Sequence, residues 1–293
     1  MSNQIMVLLV GEQPIPNLLP VRHYKPKGVI LVYSERTERI AKNLQDVLKP
    51  HLCIMCKVRP YEVDELQANL KTVFRDKHWK GPDLIFNLTG GTKPMMLAAY
   101  SVAQELGSQC LYLISEKGTS EVRRYQFRDG ALRPSGREII PATISLDDYL
   151  RLHVGEYEEQ RPKDAFELAV MGALRGCEAI DELRTDVRPQ SAHNLEIDLL
   201  VRRGNQVGLA EIKRKADKSA IDQLTTAASR EYLGTYTHKF LIAANKLSSG
   251  NRRLAQVQAI TVIELLSFSE HGQLSEADIQ RLRHQITMRL GVG

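Results

Sequence analysis

The chain has 293 residues, 43% of them hydrophobic and 26% charged, with four cysteines and a net charge of +5. At about 150 residues per domain this length suggests two domains, each large enough to bury a core without disulfides. The composition excludes long disorder and low-complexity tracts. No apolar run approaches the roughly 18 residues a membrane helix needs, and MSNQIMVLLVGEQ lacks a basic leader region, so a cytoplasmic location and no membrane partner are expected.

The first half alternates apolar strands with amphipathic helices. Strands are predicted at Ile5–Val10, Gly28–Tyr33, Leu52–Val58, Asp83–Asn87 and Cys110–Ile114, and helices at Glu35–Leu48, Glu62–Phe74 and Lys93–Leu106. Short strands apolar on both faces, separated by helices, indicate a parallel sheet covered on both sides, a Rossmann-like α/β domain. Gly107 is placed to stop the third helix, and Asp129-Gly130 to turn a hairpin. Residues 147–162 are charged and end at Pro162, so they are expected to be a linker between domains at 1–146 and 163–293.

The second half opens with a predicted helix, Lys163–Leu174. A hairpin of Leu195–Val201 and Gln206–Lys213 follows, then a helix near Ala220–Tyr232 and a strand at Lys239–Ala244. A helix at Arg252–Gln258, a strand at Ala259–Leu265 and a closing helix at Ser275–Leu290 complete a second α/β or α+β domain.

Two constellations carry chemistry. In the first, Asn87-Leu88-Thr89-Gly90-Gly91-Thr92-Lys93-Pro94-Met95 joins a buried strand to a helix. Paired glycines let backbone N–H groups approach a ligand, the helix start favours an anion, and Thr89, Thr92 and Lys93 add donors. The spacing matches neither Walker A nor the dinucleotide fingerprint. The loops Gly11–Leu18 and Tyr33–Thr37 are expected at the same sheet edge.

In the second, Asp198 lies on one hairpin strand and Glu211-Ile212-Lys213 on the other. A period of two puts Glu211 and Lys213 on one face, while Asp198 sits between apolar neighbours. Buried carboxylates are costly unless paired or bound to metal, and oxygen ligands suit Mg²⁺ or Mn²⁺. Glu167 on the preceding helix is placed to complete a metal set with Asp198 and Glu211. Lys213 is suited to neutralising charge on a phosphate, with Glu196 and Gln223 as auxiliary residues.

TGGTKPM after a buried strand, with the early GEQPIPNLLP loop, resembles the CRISPR-associated Rossmann fold (CARF) domain over about residues 1–145. The resemblance implies a symmetric homodimer binding a cyclic oligoadenylate across its axis. Gly90, Gly91, Thr92 and Lys93 would contact the ring, and Gln13, Asn17, Ser34, Thr89 and Met95 would belong to its pocket. Two-fold symmetry favours cyclic tetra-adenylate, though a six-unit ring shares that symmetry. The ordered Glu167, Asp198, Glu211-x-Lys213 resembles the PD-(D/E)xK nuclease core, with Ile197 where the motif's name has Pro. Together the resemblances imply a ligand-activated, metal-dependent nuclease of type III CRISPR defence, cleaving DNA and/or RNA. A ligand-controlled DNA-binding regulator, or a ring nuclease degrading the oligoadenylate, are the alternative functions.

Three weaker patterns are set aside. Cys53-x-x-Cys56 beside His51 lacks a second ligand pair for zinc. Arg188-x4-His193 has the spacing of helical HEPN ribonucleases, but Pro189 breaks the helix that chemistry needs. Arg281, Arg283 and Arg289 lie on a helix whose Ile279, Leu282, Ile286 and Leu290 read as a core-facing stripe rather than a DNA-reading surface.

Overall fold

Every residue of β1 (Ile5–Leu9) and β2 (Gly28–Tyr33) is buried, which accounts for apolar runs without alternation. The computed structural model describes residues 3–116, 118–192, 195–234 and 236–291. It divides into two units, residues 1–143 and 144–293.

In the first unit β1 lies between parallel β2 and β4 (Leu84–Asn87), flanked by β3 (Leu52–Lys57) and β5 (Gln109–Glu116). Antiparallel β6 (Thr119–Arg128) and β7 (Ala131–Ile140) extend the sheet to the order β3-β2-β1-β4-β5-β6-β7. The hairpin turns at Asp129 and Gly130, with φ of 52° and 72°. Two positive φ values are what a two-residue type I′ turn requires.

The second half of the loop expected at Gly11–Leu18 is instead the start of helix α1 (Ile15–Tyr24). Prolines at 14, 16 and 20 argue against a helix in sequence, and the structure shows how they are accommodated. Pro16 lies in the first turn, where no N–H is needed. Pro20 has no N–H to give the carbonyl of Pro16, and Asn87 Nδ2 donates to that carbonyl at 2.8 Å instead. Helices α2 (Glu38–Val47), α3 (Val63–Asp76) and α4 (Lys93–Leu106) follow, close to their expected bounds. Gly107 ends α4 at φ 64°.

The expected linker at 147–162 is not one. It contains most of α5 (Leu146–Val154) and all of β8 (Tyr157–Glu159), both within the second unit. Its charges face outward while Leu146, Tyr149, Leu150 and Leu152 are buried, and β8 pairs with β9 (Glu182–Pro189). β9 itself, with only Val187 and Pro189 fully buried, carries no apolar alternation that sequence reading detects.

The second sheet has the order β13-β12-β11-β10-β9-β8. Its centre is the expected hairpin, β10 (Ile197–Arg203) and β11 (Gln206–Lys213), followed by parallel β12 (His238–Ala243) and β13 (Ile260–Glu264). Helix α6 (Ala165–Arg175) packs Phe166, Val170 and Leu174 into the same core as Leu282, Ile286 and Leu290 of α10 (Glu276–Leu290). Between them come α7 (Lys218–Ala227), α8 (Ser249–Val257) and the short α9 (Ser267–His271).

Two of the three arginines of α10 are used within the fold: Arg281 pairs with Asp278, and Arg283 Nε donates to the carbonyl of Ala173, while Arg289 is exposed. The four cysteines are free, and burial pushes the Cys56 thiol up to about 11. His193 lies outside the described residues. Among the described residues no helix is long and apolar enough to cross a membrane.

Candidate ligand-binding edge and candidate active site

In the first unit the register pairs Leu8 with Asn87 and Leu9 with Val32, so the loops after β1, β2 and β4 leave the sheet at one level. Connections depart in opposite directions on either side of β1, and open α/β sheets bind ligands at such a switch point. The glycines there are demanded by close packing. A Cβ on Gly90 would lie 2.1 Å from the carbonyl oxygen of Leu9, and one on Gly11 would lie 3.0 Å from the amide nitrogen of Gly91. Gly91 has φ +73°. Among the described residues nothing accepts from the amides of Gly90 and Gly91.

Asn87, fully buried at the end of β4, organises this edge. Its Nδ2 donates to the carbonyl of Pro16 at 2.8 Å and to Asn17 Oδ1 at 3.4 Å. Its Oδ1 accepts from the Thr89 amide at 3.1 Å and the Thr89 hydroxyl at 2.6 Å. Replacing Asn87 by Ala leaves several buried partners unmatched, and the expected cost is about 3 kcal/mol. Equilibrium urea unfolding checks this; a loss below about 1 kcal/mol, the value of one ordinary hydrogen bond, would deny Asn87 that role.

The predicted ligand residues divide accordingly. Asn17 is buried and donates to the Leu9 carbonyl at 3.0 Å. The Thr89 hydroxyl also accepts from the Leu113 amide at 2.8 Å. Thr92 caps α4 by accepting from the Met95 amide, and its hydroxyl donates to the Pro60 carbonyl at 3.1 Å. Ser34 is buried in a capping box with Thr37, and Met95 is buried beneath Gly91. What this edge turns outward is the glycine backbone, exposed Lys93 and half-buried Gln13.

In the second unit Asp198 is 8% exposed and Glu211 4%. They face each other one step beyond the Leu199–Ala210 pair of β10 and β11. Like charges directly opposite on adjacent strands repel. Lys213 resolves this: its Nζ lies 2.8 Å from Glu211 Oε1 and 3.1 Å from Asp198 Oδ2. Asp198 Oδ2 also accepts from the Ile212 amide at 2.7 Å. Burial, then the charge of Asp198, pushes the Glu211 carboxyl up to about 7. Burial raises Asp198 too, against the pull of Lys213. Burial alone would lower the Lys213 ammonium, but Asp198 and Glu211 hold it above its usual range, so it stays charged.

Glu167, half-buried on α6, is pushed up to about 7 by burial and by the charges of Asp198, Asp186 and Asp164. A carboxyl higher in the folded than in the unfolded chain contributes stability below about pH 4.5, and that contribution is lost as pH rises through about 7. Glu167→Gln is therefore expected to stabilise the protein at pH 8, by about 1 kcal/mol once solvent screening is allowed for, and to leave it unchanged at pH 4. Thermal unfolding at the two pH values measures the difference; equal shifts at both would refute it.

Asp186, which sequence reading missed with its strand, lies between the Val187–Ile197 and Thr185–Leu199 pairs of β9 and β10, at φ 47°. Burial, Glu196 and Asp198 raise its carboxyl. Nothing in TDVRP marks it. Glu196 is exposed and paired with Arg188 at 2.7 Å, and exposed Gln223 on α7 takes no part in the ion pairs around Asp198. The expected three-carboxylate set is not closed: among the described residues no three carboxylate, imidazole or thiol groups converge to hold a metal ion. The donor chemistry nonetheless suits a hard divalent cation, since Asp198 and Glu211 are buried, mutually repelling oxygen ligands balanced by one ammonium.

Residues 5–149 match the family model described as the Card1 CARF domain. No curated protein sequence matches the chain. Among solved structures it is similar to Can2 from Sulfobacillus thermosulfidooxidans in complex with cyclic tetra-adenylate, with a TM-score of 0.74, 17% identity, and coverage of 99% of this chain and 98% of that one. Protein VC1899 from Vibrio cholerae gives a TM-score of 0.73 at 11% identity, with 98% of each chain covered. A type III CRISPR defence DNA nuclease activated by cyclic oligoadenylate gives a TM-score of 0.58 at 16% identity, covering 83% of this chain and 46% of that one. At these identities the likeness is one of fold, and with Can2 and VC1899 it extends over both units.

Proposed function

We propose that this chain, whose N-terminal unit is a CARF domain, is a nuclease of type III CRISPR defence switched on by a cyclic oligoadenylate. The observation that carries the reading is the buried Asp198–Lys213–Glu211 cluster, set in a chain that shares its fold over 99% of its length with Can2. The activator is cyclic tetra-adenylate, the ligand named with Can2. Its phosphates meet the Gly90-Gly91 amides, the start of α4 and Lys93. The working unit is a homodimer with one ring on its two-fold axis.

Asp198 and Glu211 would hold a Mg²⁺ or Mn²⁺ ion, and Glu167 on α6 is the candidate for a third carboxylate. Such an ion, when bound, polarises a phosphodiester and lowers the pKa of its water. Lys213, kept charged by the two carboxylates, steadies negative charge as it develops on the phosphate. The second unit is then a PD-(D/E)xK domain acting on DNA and/or RNA. The ligand activates by binding one state of the protein better than another, since equal affinity would shift nothing.

The test is cleavage of labelled single-stranded RNA, single-stranded DNA and plasmid with Mn²⁺ or Mg²⁺, with and without cyclic tetra-adenylate. Cutting that needs both metal and ligand is the expected result, and it names the substrate. Ligand binding without any cutting would favour a DNA-binding regulator. Loss of the ligand itself, without nucleic acid and unaffected by Asp198→Ala, would point to a ring nuclease.

A further inference from the structure

The segment Arg59-Pro60-Tyr61-Glu62 carries the chain from β3 into α3. It belongs to the same sheet edge as the paired glycines, because the Pro60 carbonyl accepts from Thr92 Oγ1 at 3.1 Å. Thr92 is both the residue after Gly91 and the N-cap of α4. The starts of α3 and α4 are thereby tied side by side. Tyr61 stands between two fixed points: Pro60, held by Thr92, and Glu62, whose amide donates to the Arg59 carbonyl at 3.2 Å. Arg59 is itself held by Glu65. On this fastened turn Tyr61 is 74% exposed.

A large ring projecting from a constrained backbone is an aromatic surface whose ordering cost is already met. We infer that Tyr61 is a stacking platform for an adenine base of the cyclic oligoadenylate, a residue that sets preference for a base-bearing ligand over a bare phosphate. The inference rests on the ligand reading proposed above. The division of labour follows from chemistry. The glycine amides and Lys93 suit phosphate, while an adenine base stacks on a π-face, which Tyr61 supplies at the same edge.

The experiment is calorimetric titration of the full-length protein with cyclic tetra-adenylate. Tyr61→Ala is expected to weaken binding about tenfold or more, and Tyr61→Phe to change it by less than about twofold, because stacking needs the ring and not the hydroxyl. The thermal midpoint without ligand stays unchanged in both variants, since the ring is exposed. Tyr61→Trp adds a direct readout, with indole fluorescence altered on titration as a base covers it. Wild-type and Tyr61→Ala proteins binding with equal affinity would overturn the inference while leaving the ligand reading intact. Wild-type protein failing to bind the ring would overturn both.

Discussion

Lys213→Ala is expected to lower the ligand-stimulated cleavage rate by at least about 10²-fold, the scale on which one preorganised charge at a reacting centre acts. The physical reason lies in the three-body arrangement. The ammonium is the shared partner of Asp198 and Glu211, at 3.1 and 2.8 Å. Without it two buried carboxylates face each other uncompensated. Glu211, already pushed up to about 7, then holds its proton more tightly, and the cluster loses both a phosphate-facing charge and an ionised metal ligand. Lys213→Arg is not expected to rescue the rate, because a planar fork does not reproduce a point charge seated between two carboxylates. Cleavage of labelled substrate at saturating Mn²⁺ and cyclic tetra-adenylate measures the loss, with circular dichroism and ligand titration as controls for folding. A Lys213→Ala protein that cuts at the wild-type rate would remove the cluster from the chemistry.

Gly90→Ala is expected to abolish detectable ligand binding and to cost about 3 kcal/mol of stability, the upper range for forcing atoms into a filled site. The added methyl would sit 2.1 Å from the Leu9 carbonyl oxygen. That obstacle is backbone at the end of a central strand, so no side-chain rotation relieves it, and the loop must move off the sheet edge. Gly107→Ala is the control. Gly107, unlike Gly90, has positive φ, at 64°, and nothing lies within 4 Å of its would-be Cβ. It is expected to cost only about 1 kcal/mol, the left-handed penalty, with binding retained. Urea unfolding and calorimetric titration separate the two effects. Gly90→Ala behaving like Gly107→Ala would show that the loop tolerates displacement and does not depend on its contact with β1.

The local patterns were legible in the chain itself. Runs of consecutive apolar residues announced β1, β2 and most of β4 because a strand covered on both faces has no solvent side to alternate towards. Gly107, Asp129-Gly130 and Ser275 marked a helix end, a hairpin turn and a helix start through backbone and capping preferences that act within a few residues. The spacing of Asp198, Glu211 and Lys213 placed three charges on paired strands, because strand period and turn length determine which residues meet.

Other features depended on partners distant in sequence. Helix α1 forms despite its prolines because Asn87, 71 residues from Pro16, takes the carbonyl that Pro20 cannot serve. Residues 147–162 read as a linker from their charge, yet four buried apolar residues at 146–152 and pairing with β9 make them structure. Asp186, whose charge helps to raise the Glu167 carboxyl, lies on a strand with no alternating pattern. The hydroxyls of Thr89, Thr92 and Ser34 looked like ligand donors, but Asn87, Pro60 and Thr37 engage them. Residue type and spacing determine what a side chain is able to donate and along which element it lies. Only the tertiary structure decides whether another part of the chain has already taken that donor, because a hydrogen bond is satisfied by whichever partner folding brings within about 3 Å.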